Sequence, residues 1–456
     1  MASAYLIKPH LHRTYPIVQY GKGIYLYDTD GKKYIDGCSG AVTANLGHGV
    51  QEIIDAMNEQ AKKVAFVYRS QFTSEAAEAL AEKLNKHISR HTHYWTFLVN
   101  SGSEATETAM KIAIQYWQEQ GINGKNKILS RWLSYHGITL GALSMSGHPT
   151  RRVRFVPLLE EFPSVSPPYC YRCPYHCTYP SCRLRCADEL EEAIIRIGAE
   201  HIAAFIAEPI VGAAGAAITP PDEYYKRIRN ICDRHNILFI ADEVMTGLGR
   251  TGKMFALEHW NVEADIVTLG KGLGAGYTPI AATLASERVM EPILHGSGVV
   301  MSGHTLSANP LSAATALAVL EFIERHQLVQ NANKIGGYLL EQLRSLQASF
   351  GWIGDIRGKG LLIGMEFVHP KTKEMIPSSL AFTDMVVTIA QKNGLLVYPS
   401  ASGNGKDGAA IIIAPPLTMN QEEAAEFVDL LTRSFVEIDH DLPTWMKGKD
   451  HHDNGQ

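Results

Sequence analysis

Two stretches leave this chain few folds to choose from: Ile237-Leu238-Phe239-Ile240-Ala241-Asp242-Glu243-Val244 and, after a short gap, Asp265-Ile266-Val267-Thr268-Leu269-Gly270-Lys271-Gly272. Each contains a short, nearly continuous apolar run and delivers one charged residue where that run stops. A strand buried on both faces of a parallel sheet reads this way, whereas a strand with one wet face alternates apolar and polar residues. Open α/β sheets bind ligands beyond the carboxyl ends of their strands, so Asp242 and Lys271 are expected to face one another across a ligand site.

The flanking sequence extends the same pattern. Trp95–Val99 reads as a strand, and Asn100-Ser101-Gly102-Ser103-Glu104-Ala105 then opens a long helix whose apolar residues share one face up to Gly121. Lys127–Ser130 is a further strand, Ala203–Ala207 another that ends in Glu208, and a helix from Pro220 through His235 leads into the Asp242 strand. This alternation between about residues 95 and 290 predicts a right-handed, mostly parallel sheet in an α/β protein. Toward the ends the signals change. Asp30-Gly31 between apolar-aromatic runs predicts a hairpin, and Ile353–Phe367 reads as a glycine-punctuated pair of strands. The tail after Trp445 is polar and expected to be mobile.

A carboxylate and a lysine in one closed site serve a narrow chemistry. A lysine can form a Schiff base with pyridoxal phosphate, while an aspartate beside the ring nitrogen keeps that nitrogen protonated, so that the ring draws electrons from the substrate carbon. The strand, Ser101-Gly102-Ser103 turn and helix N-terminus form an anion site suited to a phosphate, through unpaired N–H groups, the helix dipole and the serine hydroxyls. Simple capping of the helix by Ser101 or Ser103 is the plainer role of the same residues. Tyr135, in Tyr135-His136-Gly137, offers an aromatic face on which a flat heterocycle can stack.

Ala241-Asp242-Glu243-Val244 and Thr268-Leu269-Gly270-Lys271-Gly272 resemble the cofactor-binding segments of class III pyridoxal-phosphate aminotransferases, the group of ω-amino acid, ornithine and 4-aminobutyrate transaminases. Both segments stand in the family's order and spacing, and the likeness runs from Gly21 to about Val436. It implies a fold type I pyridoxal-phosphate transferase: a large cofactor-binding domain over 51–315, with a smaller α+β domain assembled from 1–50 and 316–456. It further implies that Lys271 and Asp242 are catalytic and that Val244 lies at the cofactor. By the same likeness Tyr135 stacks on the ring, His136 supports it, and Glu208 sits beside it. Thr305 would bind the phosphate of a neighbouring subunit, so the resemblance implies a homodimer or dimer of dimers with shared sites. The reaction implied is ping-pong: a small amine donor gives its nitrogen to pyridoxal 5'-phosphate, and a keto acid or aldehyde takes it. Aminomutases, racemases and decarboxylating members share this core, whereas a binding or regulatory protein on the scaffold is expected to lose Lys271 or Asp242, both present here.

The substrate side departs from the family. Many members place an arginine beyond a Pro-Pro-Leu segment to grip an α-carboxylate, but here Pro415-Pro416-Leu417 is followed by Gln421 at that position. Arg69, in a loop that matches one reaching the pocket from the neighbouring subunit, is the expected replacement, and Val42 is a candidate pocket wall. These positions point to a donor with its amine away from the α carbon.

Composition narrows partners and location. A formal net charge of −5 over 456 residues gives no electrostatic reason to expect nucleic acid or an anionic membrane. The first residues lack the apolar core of a signal peptide, and no run of 18 apolar residues occurs, so a cytoplasmic protein is expected. Five of the seven cysteines crowd between Cys170 and Cys186, with His176 among them. Their spacing suits a thiolate-rich metal site but lacks a second C-x2-C knuckle, and a surface loop of reduced thiols without metal is the expectation.

Overall fold

The computed structural model describes residues 5–89 and 91–447. At its centre lies a seven-stranded sheet in the spatial order Tyr94–Val99, Ala281–Ser286, Ile266–Leu269, Leu238–Asp242, Ile202–Ala207, Lys127–Arg131, Ser164–Val165. Ala281–Ser286 runs antiparallel to both its neighbours, and the other adjacent pairs are parallel. The expected mostly parallel sheet is therefore present with one reversed strand.

The continuous apolar runs are explained by where successive side chains go. Phe205, Ala207, Phe239, Ala241 and Val267 enter one apolar core, while Ala204, Ile206, Leu238, Ile240 and Ile266 enter a second on the opposite face. Period-two alternation thus distributes each strand between two dry layers, so no residue in these strands needs to be polar for solvation. Helix Gly102–Glu119 covers one face with Ala109, Ile112, Ala113, Tyr116 and Trp117, and Trp117 Nε1 donates to Ala203 O at 2.9 Å. Tyr225 and Ile228, from helix Tyr224–Arg234, cover the other.

Two four-stranded sheets lie in the terminal segments. Val18–Lys22, Tyr25–Asp28 and Lys33–Asp36 form a meander joined by Leu395–Leu396, and Ile353–Lys359 pairs with Leu362–Phe367 beside Ala409–Ile413 and Tyr398–Ser400. Residues from both ends share a third core, in which Ile24, Ile35 and Ile53 meet Trp352, Phe367, Phe427 and Phe435. Helix Pro310–Arg325 serves both units, with Ala313, Ala316 and Leu320 in the core of the large sheet and Val319 and Ile323 in the terminal core.

Among the described residues no helix is long and apolar enough to cross a membrane. The polar tail expected to be mobile lies beyond 447, outside the described residues. All seven cysteines are free thiols, Cys170 and Cys177 exposed among them, and no group of three or more His, Cys, Asp or Glu among the described residues has metal-holding geometry.

Candidate active site

Asp242 closes the strand Leu238–Asp242, Glu208 follows Ile202–Ala207, and Lys271 stands just past Ile266–Leu269. These three strands are adjacent in the sheet, so their carboxyl ends bring the two acids and the amine together. A cavity of about 160 Å³ opens there, lined by Gly102, Ser103, Tyr135, His136, Gly137, Glu208, Asp242, Val244, Met245 and Lys271.

Asp242 is buried, and its oxygens are almost fully occupied. Oδ1 accepts from Val244 N–H at 3.1 Å and from Thr268 Oγ1 at 3.2 Å, while Oδ2 lies 2.7 Å from His136 Nδ1. Facing a carboxylate, that ring nitrogen carries the proton and donates it. A carboxylate has about four acceptor positions, so three protein donors leave one for a group in the cavity. His136 is itself fixed: its N–H donates to Ser146 Oγ at 2.8 Å and its carbonyl accepts from Thr106 Oγ1 at 2.6 Å.

Glu208 spends both oxygens on the loops around the cavity, accepting from Tyr135 N–H at 2.9 Å and Gly212 N–H at 2.8 Å. Burial pushes its carboxyl above the ordinary range, with Asp242 adding to the rise and the two N–H donors opposing it. Lys271 adopts a left-handed backbone, φ 41°, the kind of uncommon conformation that is retained where surrounding structure fixes it. Burial lowers its pKa below that of an ordinary lysine, opposed by Asp242 and Glu208 and reinforced by Arg151. The amine is thereby moved toward the neutral form a nucleophile or base requires.

At the other end of the cavity, the turn after Tyr94–Val99 opens helix Gly102–Glu119. Ser101 Oγ caps it, accepting from Glu104 N–H at 3.3 Å, and Ser101 does not line the cavity. Ser103 Oγ does, and accepts from Ile138 N–H at 3.0 Å. No acceptor among the described residues meets the N–H groups of Gly102 and Ser103, as expected for the first turn of a helix. The surroundings are fitted to bare backbone: a Cβ on Gly102 would come 2.9 Å from Val244 Cγ1, and one on Gly137 would come 2.5 Å from Ser103 Oγ.

Three residues singled out in the sequence stand elsewhere in this single chain. Val42 is buried in the core of the large sheet, and Thr305 is exposed in the loop before Pro310–Arg325. Arg69 is exposed, with Nη2 donating to Ser302 O at 2.6 Å and Cζ 4.5 Å from the Phe97 ring centroid. Conversely, Thr268 received no role from sequence. Its signal was available, since it is the one hydroxyl in the run Ile266–Leu269 and stands in register opposite Asp242.

The residues present fit pyridoxal phosphate. They provide an amine of lowered pKa, a buried carboxylate with one acceptor position left, an aromatic ring and a valine on the walls, and free N–H groups at a helix N-terminus for the phosphate.

Known proteins agree with this chemistry. The family description "Aminotransferase class-III" matches residues 7–435. The uncharacterized aminotransferase YodT of Bacillus subtilis is 53% identical over 442 residues, covering 96% of this chain and 99% of its own length. A leucine/methionine racemase of Thermococcus litoralis is 36% identical over 423 residues, 92% of this chain and 90% of its own. A crystal structure of an amine transaminase from an uncultivated Pseudomonas species in its PLP-bound form superposes with a TM-score of 0.89 at 35% identity, covering 96% of this chain and 98% of that one. The mixed sheet and its covering helices are accordingly those of a fold type I transferase, and the chain belongs to the class III aminotransferase family, the enzymes that move amino groups with pyridoxal 5'-phosphate.

Proposed function

We propose that the enzyme takes its amino group from a simple amine or from an ω- or β-amino acid and passes it to a keto acid or aldehyde in a ping-pong cycle. The observation that carries this is the meeting of Lys271, Asp242 and Glu208 in one cavity; the choice of donor rests on the sequence, where Gln421 stands at the position at which the family resemblance implies an α-carboxylate arginine. When bound, pyridoxal phosphate supplies an electron-withdrawing ring that stabilises negative charge on the substrate carbon. Lys271 Nζ would attach the cofactor and would move the proton at the substrate carbon. Asp242 would hold the ring-nitrogen proton at its one remaining acceptor position, with Oδ1 fixed by Val244 N–H and Thr268. Tyr135 and Val244 would flank the ring, Glu208 and His136 would position it, and the N–H groups of Gly102 and Ser103 with the Ser103 hydroxyl would hold the phosphate, Ser101 serving as the helix cap. The division into 1–50, 51–315 and 316–456 is supported by a core drawn mainly from the two terminal segments, although Val42, Leu362 and Ile412 pack into the core of the large sheet.

The reading includes a homodimer in which Thr305 reaches the phosphate, Arg69 the substrate, and Val42 the pocket wall, the first two across the interface. Two segments support it by lying side by side with apolar groups in solvent: Phe66, Tyr68 and Phe72 on one, Met301 and Leu306 on the other. Arg69 to Ser302 O and Asn309 Nδ2 to Ala65 O, the latter at 3.0 Å, tie them together. A patch of this kind on a folded chain marks an association surface. A cytoplasmic location is supported by the seven unpaired thiols.

A donor panel tests the function. Amines and ω-amino acids are expected to turn over with pyruvate, with ordinary α-amino acids poor donors. Strong preference for α-amino acids, or racemisation of an amino acid with no amino transfer, would overturn it. The shared site has its own test at limiting pyridoxal phosphate. Thr305→Ala should lose cofactor more readily, and exchanging its subunits with inactive Lys271→Ala should raise activity above that of Thr305→Ala alone, since each heterodimer regains one complete site. No gain on exchange would remove Thr305 from the neighbour's site.

A further inference from the structure

Beyond Tyr135 lies a second cavity of about 270 Å³, lined in part by His148, Arg151, Tyr398, Ser402 and Lys406. The two cavities meet across Tyr135: its ring, which walls the first, lies edge-on to His148 at 6.2 Å and carries Arg151 Cζ at 4.5 Å from its centroid.

Arg151 is set apart by what it lacks. The other partly buried arginines of this chain are held by protein acceptors: Arg357 and Arg172 by Glu366, Arg229 by Asp265, and Arg152 by the carbonyls of Leu143, Ser144 and Ser146. Among the described residues no carboxylate pairs with Arg151. A half-buried guanidinium without an anion is costly unless a ligand supplies one, and its planar fork matches a carboxylate through two parallel hydrogen bonds. The rest of the lining agrees. Lys406 adds a second cation to the same lining. His148 is pushed down to about 4, chiefly by burial, so it is neutral near pH 7 and contributes no charge of its own.

We infer that Arg151 receives the acid group of the donor, a carboxylate or sulfonate, in this second cavity while the donor's amine reaches Lys271 in the first. The inference rests on the ω-donor reading above and specifies which side chain enforces it. An α-amino acid carries its carboxylate on the reacting carbon, inside the first cavity, where no arginine lines the wall. An acid that reaches Arg151 must be carried on a chain of its own. Arg69, singled out in the sequence for this task, is held by Ser302 O and lines neither cavity of its own chain.

The test compares two donors of equal chain length, 4-aminobutyrate and butylamine, on the holoenzyme and on Arg151→Ala, Arg151→Gln and Arg69→Ala, with cofactor retention checked by the visible spectrum. Loss of charge-assisted hydrogen bonds should raise the apparent KM for 4-aminobutyrate about ten- to a hundredfold in Arg151→Ala. The KM for butylamine and kcat for both donors should stay near the parent values, and butyrate should weaken as a competitive inhibitor by a similar factor. Arg151→Gln, which keeps most of the packing on Tyr135, should show the same split should Arg151→Ala fail to retain cofactor. Equal losses for both donors, an unchanged KM for 4-aminobutyrate, or a selective loss in Arg69→Ala instead would overturn the assignment. A parent enzyme that prefers α-amino acids brings down the ω-donor reading and this inference together. An ω-preferring parent whose Arg151 variants treat both donors alike brings down the inference alone.

Discussion

Lys271→Ala should lose amino transfer by roughly 10⁴-fold, the upper end of what removing a general base produces, because the same amine also attaches the cofactor. The loss should fall on kcat more than on substrate affinity, since the cavity walls built by Tyr135, Glu208 and Val244 do not depend on the lysine. Lys271→Arg should fare no better. A guanidinium keeps its proton at every relevant pH, whereas burial moves the lysine toward neutrality against the opposing pull of Asp242 and Glu208. Stopped-flow absorbance of the first half-reaction, with pyridoxal phosphate added in excess, measures the step directly. A small exogenous amine should restore part of the rate in Lys271→Ala. Retention of a tenth or more of the parental rate without such an amine would mean that another base moves the proton.

Asp242→Asn is the second large effect. Pyridoxal phosphate should still bind, because the phosphate turn and the ring walls come from other residues, but the half-reaction should slow by about 10²- to 10³-fold, the range seen when one preorganised electrostatic contact to developing charge is removed. The neighbours of Asp242 sharpen the expectation. His136 Nδ1 and the N–H of Val244 both donate to the carboxylate, and an asparagine amide offers a single oxygen where two acceptors stand now. One donor is therefore left unsatisfied in a buried place, which adds a stability loss of about 1–3 kcal/mol. Thermal unfolding of the apoprotein separates this from the catalytic loss. An unchanged half-reaction rate would falsify the electrostatic role of Asp242.

How far the sequence carried is clearest at these residues. A strand buried on both faces is written as an unbroken apolar run, and Asp242, Glu208 and Lys271 were legible because charge interrupts such runs at their carboxyl ends. The helix cap at Ser101 and the hairpin around Asp30-Gly31 were legible because capping and turns are local. The reversed strand Ala281–Ser286 was not, because a six-residue run buried at every position looks the same in either direction. Arg151 was missed for another reason. Its meeting with Tyr135, Ser402 and Lys406 joins segments some 250 residues apart, and nothing in Pro149-Thr150-Arg151-Arg152 distinguishes it from a solvated basic turn. Arg69 shows the converse. A loop motif gave it prominence, and folding set it on Ser302 O at the surface, where any part it takes in a site requires a second subunit.

The central claim is that the cofactor is attached at Nζ of Lys271, at the carboxyl edge of the sheet. Borohydride reduction of the holoenzyme, followed by proteolysis and mass mapping of the pyridoxyl-bearing peptide, tests it directly. The label is expected on Lys271, within Ile266-Val267-Thr268-Leu269-Gly270-Lys271-Gly272, and should be lost in Lys271→Ala; stoichiometric label on a different lysine would contradict attachment at Lys271.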